Sequence, residues 1–151
     1  MSWTSAERAQ ALIWLTVVVP LFISMAGLAI DGAILLAGRR ELQSVADGAA
    51  RAGATRVDLA RLRDSDGADV ELDAAAARGA TQSYLDSELA GEVTWDARPH
   101  ARIDVQSRRV RVTLQGTLRT AFLRIANINE VPVEASAFAD VRFGIRTGSG
   151  S

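Results

Sequence analysis

The hydrophobic positions of this chain begin with one long uninterrupted run. Ala11 to Ile30 is a stretch of 20 residues without a charged side chain, and as an α-helix it would reach about 30 Å, the thickness of the hydrocarbon core of a bilayer. Beyond Asp31 the apolar character continues as far as Arg39. The pattern predicts a membrane helix over residues 11–38, kinked at Pro20 because proline removes one backbone hydrogen bond.

A cleaved signal and a buried soluble helix stay open as alternatives for this run. A cleaved secretory signal has an apolar core of about 7–15 residues followed by a small-residue cleavage site, whereas this run is longer and leads into Asp31 and further apolar residues. A buried helix of a small soluble protein is rarely apolar on every face. An uncleaved membrane helix is favoured over both. Asp31 is then either a functional carboxylate or, as its place at the end of the run favours, a solvated interfacial one.

Small side chains at helical spacing dominate the next segment. Residues 39–62 are predicted to form an outer amphipathic helix, whose stripe of three- and four-residue steps allows a partner helix or sheet to approach closely. The residues expected to pack there are Leu42, Val45, Ala46, Ala49 and Gly53. The residues of the membrane helix expected to shape its packing in an assembly are Pro20, Ala26, Gly27, Ala29, Asp31 and Ala33.

The second half of the chain changes to a period of two. The predicted elements are a polar loop 63–71, a second helix from Leu72 to Ala90, short strands around Val93–Trp95, Ile103–Val105 and Val110–Leu114, a short helix in Thr120–Asn127, and a last strand from Val131 to Val141 with Pro132 at an edge. The fold class is therefore α+β, a long N-terminal helix with a small, mostly antiparallel sheet. We divide it into a flank 1–10, the two helical segments above, the loop, a helix-and-sheet domain 72–143 and a flexible tail 144–151.

Composition removes most kinds of chemistry. The 151 residues include no cysteine and no lysine, so thiolate sites, Schiff bases and the P-loop lysine are excluded. His100 is the single histidine, and the net charge is −1. No catalytic motif is present, so we expect neither an enzyme nor a cofactor.

Three polar clusters are the remaining candidates for a binding site. The acidic residues Asp64, Asp66, Asp69 and Glu71 surround a glycine and suggest calcium, but that glycine is misplaced for an EF-hand and acidic runs are usually solvated. His100 with Asp96 or Asp104 suggests a metal or acid–base pair but has no third ligand. The arginines 98, 102, 108, 109 and 111 suggest nucleic acid, anionic lipid or a cell-wall polymer. Because no stacking aromatics are interleaved with them, nucleic acid is not expected.

The N-terminal pattern resembles a known family. Residues 6–54 resemble the opening of the TadE/TadG-like proteins of tight-adherence (Flp) pilus assembly, through the proline-containing apolar run, Gly27-Leu28-Ala29-Ile30-Asp31, and the block Arg39-Arg40-Glu41-Leu42-Gln43 leading to Ala49-Ala50-Arg51-Ala52-Gly53-Ala54. A weaker likeness lies in residues 121–125 and 131–137. Together these matches cover under half of the chain.

The resemblance implies a pilin-like protein of the cytoplasmic membrane, with its C-terminal domain outside the cytoplasm and other Tad/Flp pilins as partners. In such pilins a small residue precedes the prepilin cleavage site and glutamate is the fifth mature residue. Here the nearby acid is Glu7, no glycine precedes it, and the apolar run lacks glutamate. The chain is therefore more similar to TadG-like than to TadE-like proteins, and processing by prepilin peptidase is not expected.

Two predictions concern the orientation of the chain across the membrane and its role in the assembly. Arg39 and Arg40 would by the positive-inside rule favour a cytoplasmic C-terminal part, which conflicts with the orientation that the resemblance implies. The leading hypothesis is a minor pilin or assembly factor that packs against other pilins, itself and the lipid bilayer. The alternative is a membrane-tethered, extracytoplasmic module that binds an envelope ligand.

Overall fold

The computed structural model describes residues 5–90, 95 and 97–141, with the backbone alone for residues 5–9 and 11. It has the α+β arrangement that the sequence predicts. The elements are helices α1 (Ser5–Ala54), α2 (Leu59–Asp64) and α3 (Ala74–Glu88), strands β1 (His100–Val105), β2 (Arg109–Arg119) and β3 (Glu130–Asp140), and a 3₁₀ turn (Leu123–Ala126) between β2 and β3.

Helix α1 is a single helix of 50 residues that contains both predicted helical segments up to Ala54. Two hydroxyls of its apolar run donate back into the helix, Thr16 Oγ1 to the Leu12 carbonyl at 2.7 Å and Ser24 Oγ to the Pro20 carbonyl at 2.8 Å. These bonds satisfy the two hydroxyl donors within the helix, as a helix surrounded by lipid would require.

The predicted outer helix 39–62 ends earlier, and the predicted loop 63–71 is partly helical. Asp58 is the reason, because its carboxylate accepts from the backbone N–H groups of Ala60 and Arg61 and so caps a new helix, α2. A capping residue has extended backbone geometry, which ends a continuous helix. Just before it, Val57 pairs with Leu72 in an isolated bridge.

The sheet has three antiparallel strands in the order β1-β2-β3. Val105 pairs with Val110 at one end of the first hairpin, and Thr117 pairs with Pro132 in the second. Pro132 thus lies in an edge strand, as predicted, where its missing N–H disturbs the sheet least. Side chains alternate between a buried and a wet face along β2 and β3, which confirms the period of two.

The inner face of the sheet packs on α1, and α3 packs beside it. The core consists mainly of small and branched side chains, namely Leu42, Ala46, Ala49, Ala50, Leu72, Ala77, Leu85, Val110, Val112, Leu114, Ala135 and Ala137. Helix α3 buries Ala77, Thr81 and Leu85, whereas Ala75 and Ala76 are exposed. The helix begins at Ala74 and not at Leu72, because the Asp73 carboxylate caps it by accepting from the N–H groups of Ala75 and Ala76.

The predicted strand around Val93–Trp95 lies mostly outside the described residues. Val93 and the tail 144–151 lie outside the described residues. Trp95 is not in a strand. Its indole instead covers Gly116, where a Cβ would come within 2.8 Å of Cε3. The sheet edge at β1 therefore begins at His100, and Trp95 joins the core from a connecting segment.

Candidate assembly and membrane surface on the first helix

Helix α1 has an N-terminal half that is almost entirely exposed. Most of its large apolar side chains from Leu12 to Leu36 are 44–67% exposed, with Val18, Ile34 and Leu35 half-buried. The helix is long and apolar enough to cross a membrane by length and composition. Water disfavours so large an apolar surface. A bilayer or a bundle of similar helices would cover it.

The other half of α1 forms part of the head, which we define as residues 55–141 together with the side of α1 that contacts them. Four glycines of α1 lie directly beneath side chains of the head. The pairs are Gly27 with Phe122, Gly38 with Leu118, Gly48 with Tyr84, and Gly53 with Thr81. At Gly27 an added Cβ would lie 2.5 Å from two ring carbons of Phe122, so the ring sits directly on the helix backbone.

Asp31 is the most tightly held side chain of this surface. It is 1% exposed, and its carboxylate accepts three backbone N–H groups, from Ala121 at 2.6 Å, Phe122 at 2.9 Å and Leu123 at 2.6 Å. The expectation of a solvated carboxylate is therefore wrong. Asp31 instead caps the 3₁₀ turn from another element and holds the β2–β3 loop (residues 120–129) against α1.

The small residues of the membrane helix divide between two sides. Gly27 and Gly38 are buried against the head, whereas Ala26, Ala29, Ala33 and Ala37 are exposed. With about 3.6 residues per turn, the four alanines lie on one stripe away from the head. Pro20 is also exposed and lies inside the unbroken helix.

The predicted packing residues of the outer segment lie against the chain's own head. Leu42, Ala46, Ala49 and Gly53 are buried, and Val45 is half-buried. Gln43, between two of them, donates to the Ser136 carbonyl of β3 at 3.2 Å. The small stripe thus brings α1 close to the sheet and α3 within one chain.

The arginine-rich stretch is largely occupied by acidic partners. Arg98 pairs with Asp86, Arg108 with Asp69, and Arg109 with Asp140. These three arginines thus form ion pairs in three different parts of the head, and they do not form a continuous basic surface.

The Arg109 pair is the best-formed of these contacts. Its guanidinium donates to both carboxylate oxygens of Asp140, at 2.6 and 2.9 Å, and lies 4.5 Å from the ring centroid of Phe138. The hydrogen bond lowers the pKa of the Asp140 carboxyl and raises the pKa of Arg109. Likewise, the hydrogen bond from Arg98 lowers the pKa of Asp86.

Among the described residues, neither the acidic residues of 64–71 nor His100 forms a metal-binding site. Asp69 and Glu71 both pair with Arg61, which gives these carboxylates cationic partners within the chain. His100 and Asp104 lie four residues apart on β1, about 13 Å along a strand, and Asp104 accepts from Gln106. Asp96 lies outside the described residues. Within residues 5–90, 95 and 97–141 no group of three or more His, Asp or Glu side chains could hold a metal ion.

The fold and this surface define a class of protein, one with an N-terminal helix able to cross a bilayer and a small α+β head built on its far half. Comparison places part of the chain more narrowly. Residues 9–56 match the family model described as "Putative Flp pilus-assembly TadE/G-like". The matched segment contains all of α1 except its first four residues, and the description does not separate TadE-like from TadG-like proteins. No curated protein and no solved structure matches the chain.

Proposed function

We propose that the chain is a membrane-anchored, pilin-like structural protein of a Tad/Flp-type pilus or secretion system. Within that class we assign it a TadG-like role, as a minor pilin or assembly factor. The observation that carries this proposal is the coincidence of the matched segment with α1. That element has an exposed apolar half and a half built into the head.

The mechanism follows from the two sides of α1. An α-helix satisfies its backbone hydrogen bonds internally, so it is stable both in lipid and among other helices. The exposed stripe of Ala26, Ala29, Ala33 and Ala37 would let a neighbouring pilin helix approach closely. The partners are the bilayer, other Tad/Flp pilins and assembly components, and further copies of this chain.

No catalytic role is part of the proposal. The matched family serves assembly, and several of the polar side chains that the sequence singles out are engaged in structural pairs, such as Glu71 with Arg61. We propose no cofactor, and no nucleic acid as a partner.

The head is proposed to lie outside the cytoplasm. Ser107 is exposed in the β1–β2 turn, and the chain has no cysteine, so Ser107→Cys supplies a unique thiol. A membrane-impermeant maleimide should label it in intact cells. Labelling that requires permeabilisation would reverse the proposed orientation and agree with the charges of Arg39 and Arg40.

Fractionation tests the role in assembly. Filaments are sheared from cells, and the intact mass of this chain is measured in the filament and membrane fractions. Enrichment in filaments would identify a pilus subunit, whereas full-length protein confined to membranes would identify an assembly factor if filaments are lost in its absence. Normal filaments without it would refute the assembly role and favour a tethered binding module.

A matched pair of substitutions tests the alanine stripe. Ala29→Leu adds bulk on the stripe while making the helix more apolar, and Ile23→Leu changes an exposed side chain of α1 without changing its size. If the stripe packs against neighbouring helices, Ala29→Leu should reduce filament yield while the amount of membrane-bound protein stays unchanged. Equal yields from both variants would remove the stripe from the assembly surface.

A further inference from the structure

The β2–β3 loop exposes an unusual set of apolar side chains. Phe122 is 37% exposed, Ile125 84% and Ile128 45%. These three side chains belong to a connection of ten residues, in which polar residues are the ordinary choice. Their exposure indicates contact with a non-aqueous surface, which the described residues of the chain do not supply.

The loop lies at the level of the apolar run of α1. Leu118, just before the loop, contacts Gly38, and Phe122 contacts Gly27, eleven residues or about 16 Å further along the helix axis. The chain therefore descends along α1 from the head towards the uncharged segment. Phe122 reaches about one helical turn beyond Asp31, inside the segment that ends at Ile30.

The loop lies at the boundary of the hydrocarbon core or inside it for both places at which the core could end along α1. If the hydrocarbon core ends at Asp31, the loop lies at its boundary. If it extends to the exposed Leu36, short of Arg39, the loop lies deeper. In both cases lipid is the neighbour available to the loop.

Much of the backbone of the loop is already hydrogen-bonded within the protein, which suits contact with lipid. Asp31 accepts the N–H groups of residues 121–123, and loop carbonyls accept those of Ile125, Asn127 and Ile128. Thr120 Oγ1 donates to the Ile128 carbonyl at 2.5 Å. Such internal pairing is what irregular backbone needs before it can leave water.

We propose that the β2–β3 loop is a second membrane contact, inserted into the surface of the same bilayer that α1 crosses. This inference rests on the proposed function, since it requires α1 to be in a membrane. The exposed Arg124 suits this place, because an arginine can bury its stem and keep its guanidinium among lipid phosphates. Two attachments, one helix and one loop, would fix the tilt and rotation of the head on the membrane.

The test uses single-cysteine variants of the full chain, each carrying an environment-sensitive fluorophore and reconstituted in phosphatidylcholine/phosphatidylglycerol nanodiscs. Ile125→Cys and Ile128→Cys probe the loop at two sites whose exposure tolerates a label. Val17→Cys, exposed in the apolar run, reports whether α1 is in lipid. Ser107→Cys is the water control, since its end of the sheet lies near Gly53, about 39 Å along α1 from Gly27.

The expected result is blue-shifted emission at positions 125 and 128, with most of it lost when the lipids carry a quencher on their acyl chains, and neither effect at 107. Quenching at 17 with water-like emission at 125 and 128 would overturn the inference and leave the membrane helix intact. No quenching at 17 would refute the membrane helix itself, and with it this inference. Blue-shifted emission that lipid quenchers do not reach, and that vanishes when each disc holds one copy, would assign the loop to a second protein molecule instead.

Discussion

The α-carbon of Gly53 lies directly against Thr81, where α1 and α3 cross. Thr81 is buried and donates from Oγ1 to the Ala77 carbonyl at 2.9 Å, which fixes its side chain. A Cβ at position 53 would also lie 3.1 Å from that carbonyl oxygen and 3.2 Å from Val110 Cγ1. The crossing is therefore closed on three sides, and glycine is the residue that fits.

We expect Gly53→Ala to destabilise the head by about 1–3 kcal/mol, because the neighbours include backbone and cannot move aside cheaply. Gly79→Ala is the matched control. Gly79 lies in α3 with open space where its Cβ would be, so alanine there should stabilise by about 0.5–1 kcal/mol through helix propensity. Denaturant unfolding of the full chain in detergent, followed by Trp95 fluorescence with Trp3 and Trp14 replaced by phenylalanine, measures both. Equal effects of the two variants would contradict the close crossing.

Asp31→Ala should release the β2–β3 loop from α1. Three partly buried N–H groups lose their acceptor, and a hydrogen bond to a charged group contributes about 1.5–3 kcal/mol. We expect the amides of residues 121–123 to exchange with deuterium much faster, and Asp31→Asn, which keeps one acceptor oxygen, to be intermediate. Asp140→Asn should leave their exchange unchanged. Unaltered protection in Asp31→Ala would mean that other contacts hold the loop.

Asp73→Ala should weaken α3 at its start. The Asp73 carboxylate accepts from the N–H groups of Ala75 and Ala76 at 3.0 and 2.9 Å, and loss of such a cap costs about 1 kcal/mol. Asp73→Ser retains a capping oxygen and should recover most of the loss. The same unfolding measurement applies, and a serine variant as unstable as the alanine variant would argue against capping as the cause.

Acid should weaken the contact between β2 and β3. The hydrogen bond from Arg109 lowers the pKa of Asp140 in the folded state, so its stabilisation is fully present above the ordinary aspartate pKa of about 3.9. It is lost as the pH falls through the lower folded value. The free energy of unfolding should therefore decline between about pH 5 and 2.

Asp140→Asn isolates that contribution, because it removes the titrating group and should make the acid decline shallower. Asp64→Asn removes an acid at the end of α2, away from the sheet, and serves as the control. The contribution of Asp140 would be absent if the two variants and the unmodified protein declined with the same slope.

Much of this fold follows from local patterns. The uncharged run of residues 11–30 identifies the membrane-length helix, and alternation in residues 110–114 and 131–141 identifies the inner faces of β2 and β3. The small stripe from Leu42 to Gly53 identifies the face of α1 that packs. Each pattern works because its period is that of the element that contains it.

The burial of Asp31 does not follow from any such pattern. Its three donors are 90 to 92 residues away, in a loop without periodicity, and a carboxylate beside an apolar run usually meets water. The sequence pattern does not show where α1 ends either, because Ala60 and Leu62 continue the helical spacing of apolar residues. Only the capping role of Asp58 shows that a new helix begins there. The apolar residues Phe122, Ile125 and Ile128 are the clearest sequence signal that the loop has a partner.

The packing of β3 on α1 also has a consequence for biosynthesis. Gln43 of α1 and Ser136 of β3, which are hydrogen-bonded, lie 93 residues apart, so an early helix is completed by a strand that is translated much later. Until β3 emerges, α1 lacks one of the two strands that pack against it. The head therefore cannot finish folding before β3 has been made, and a chain cut before Glu130 would leave the face of α1 that contacts β3 uncovered.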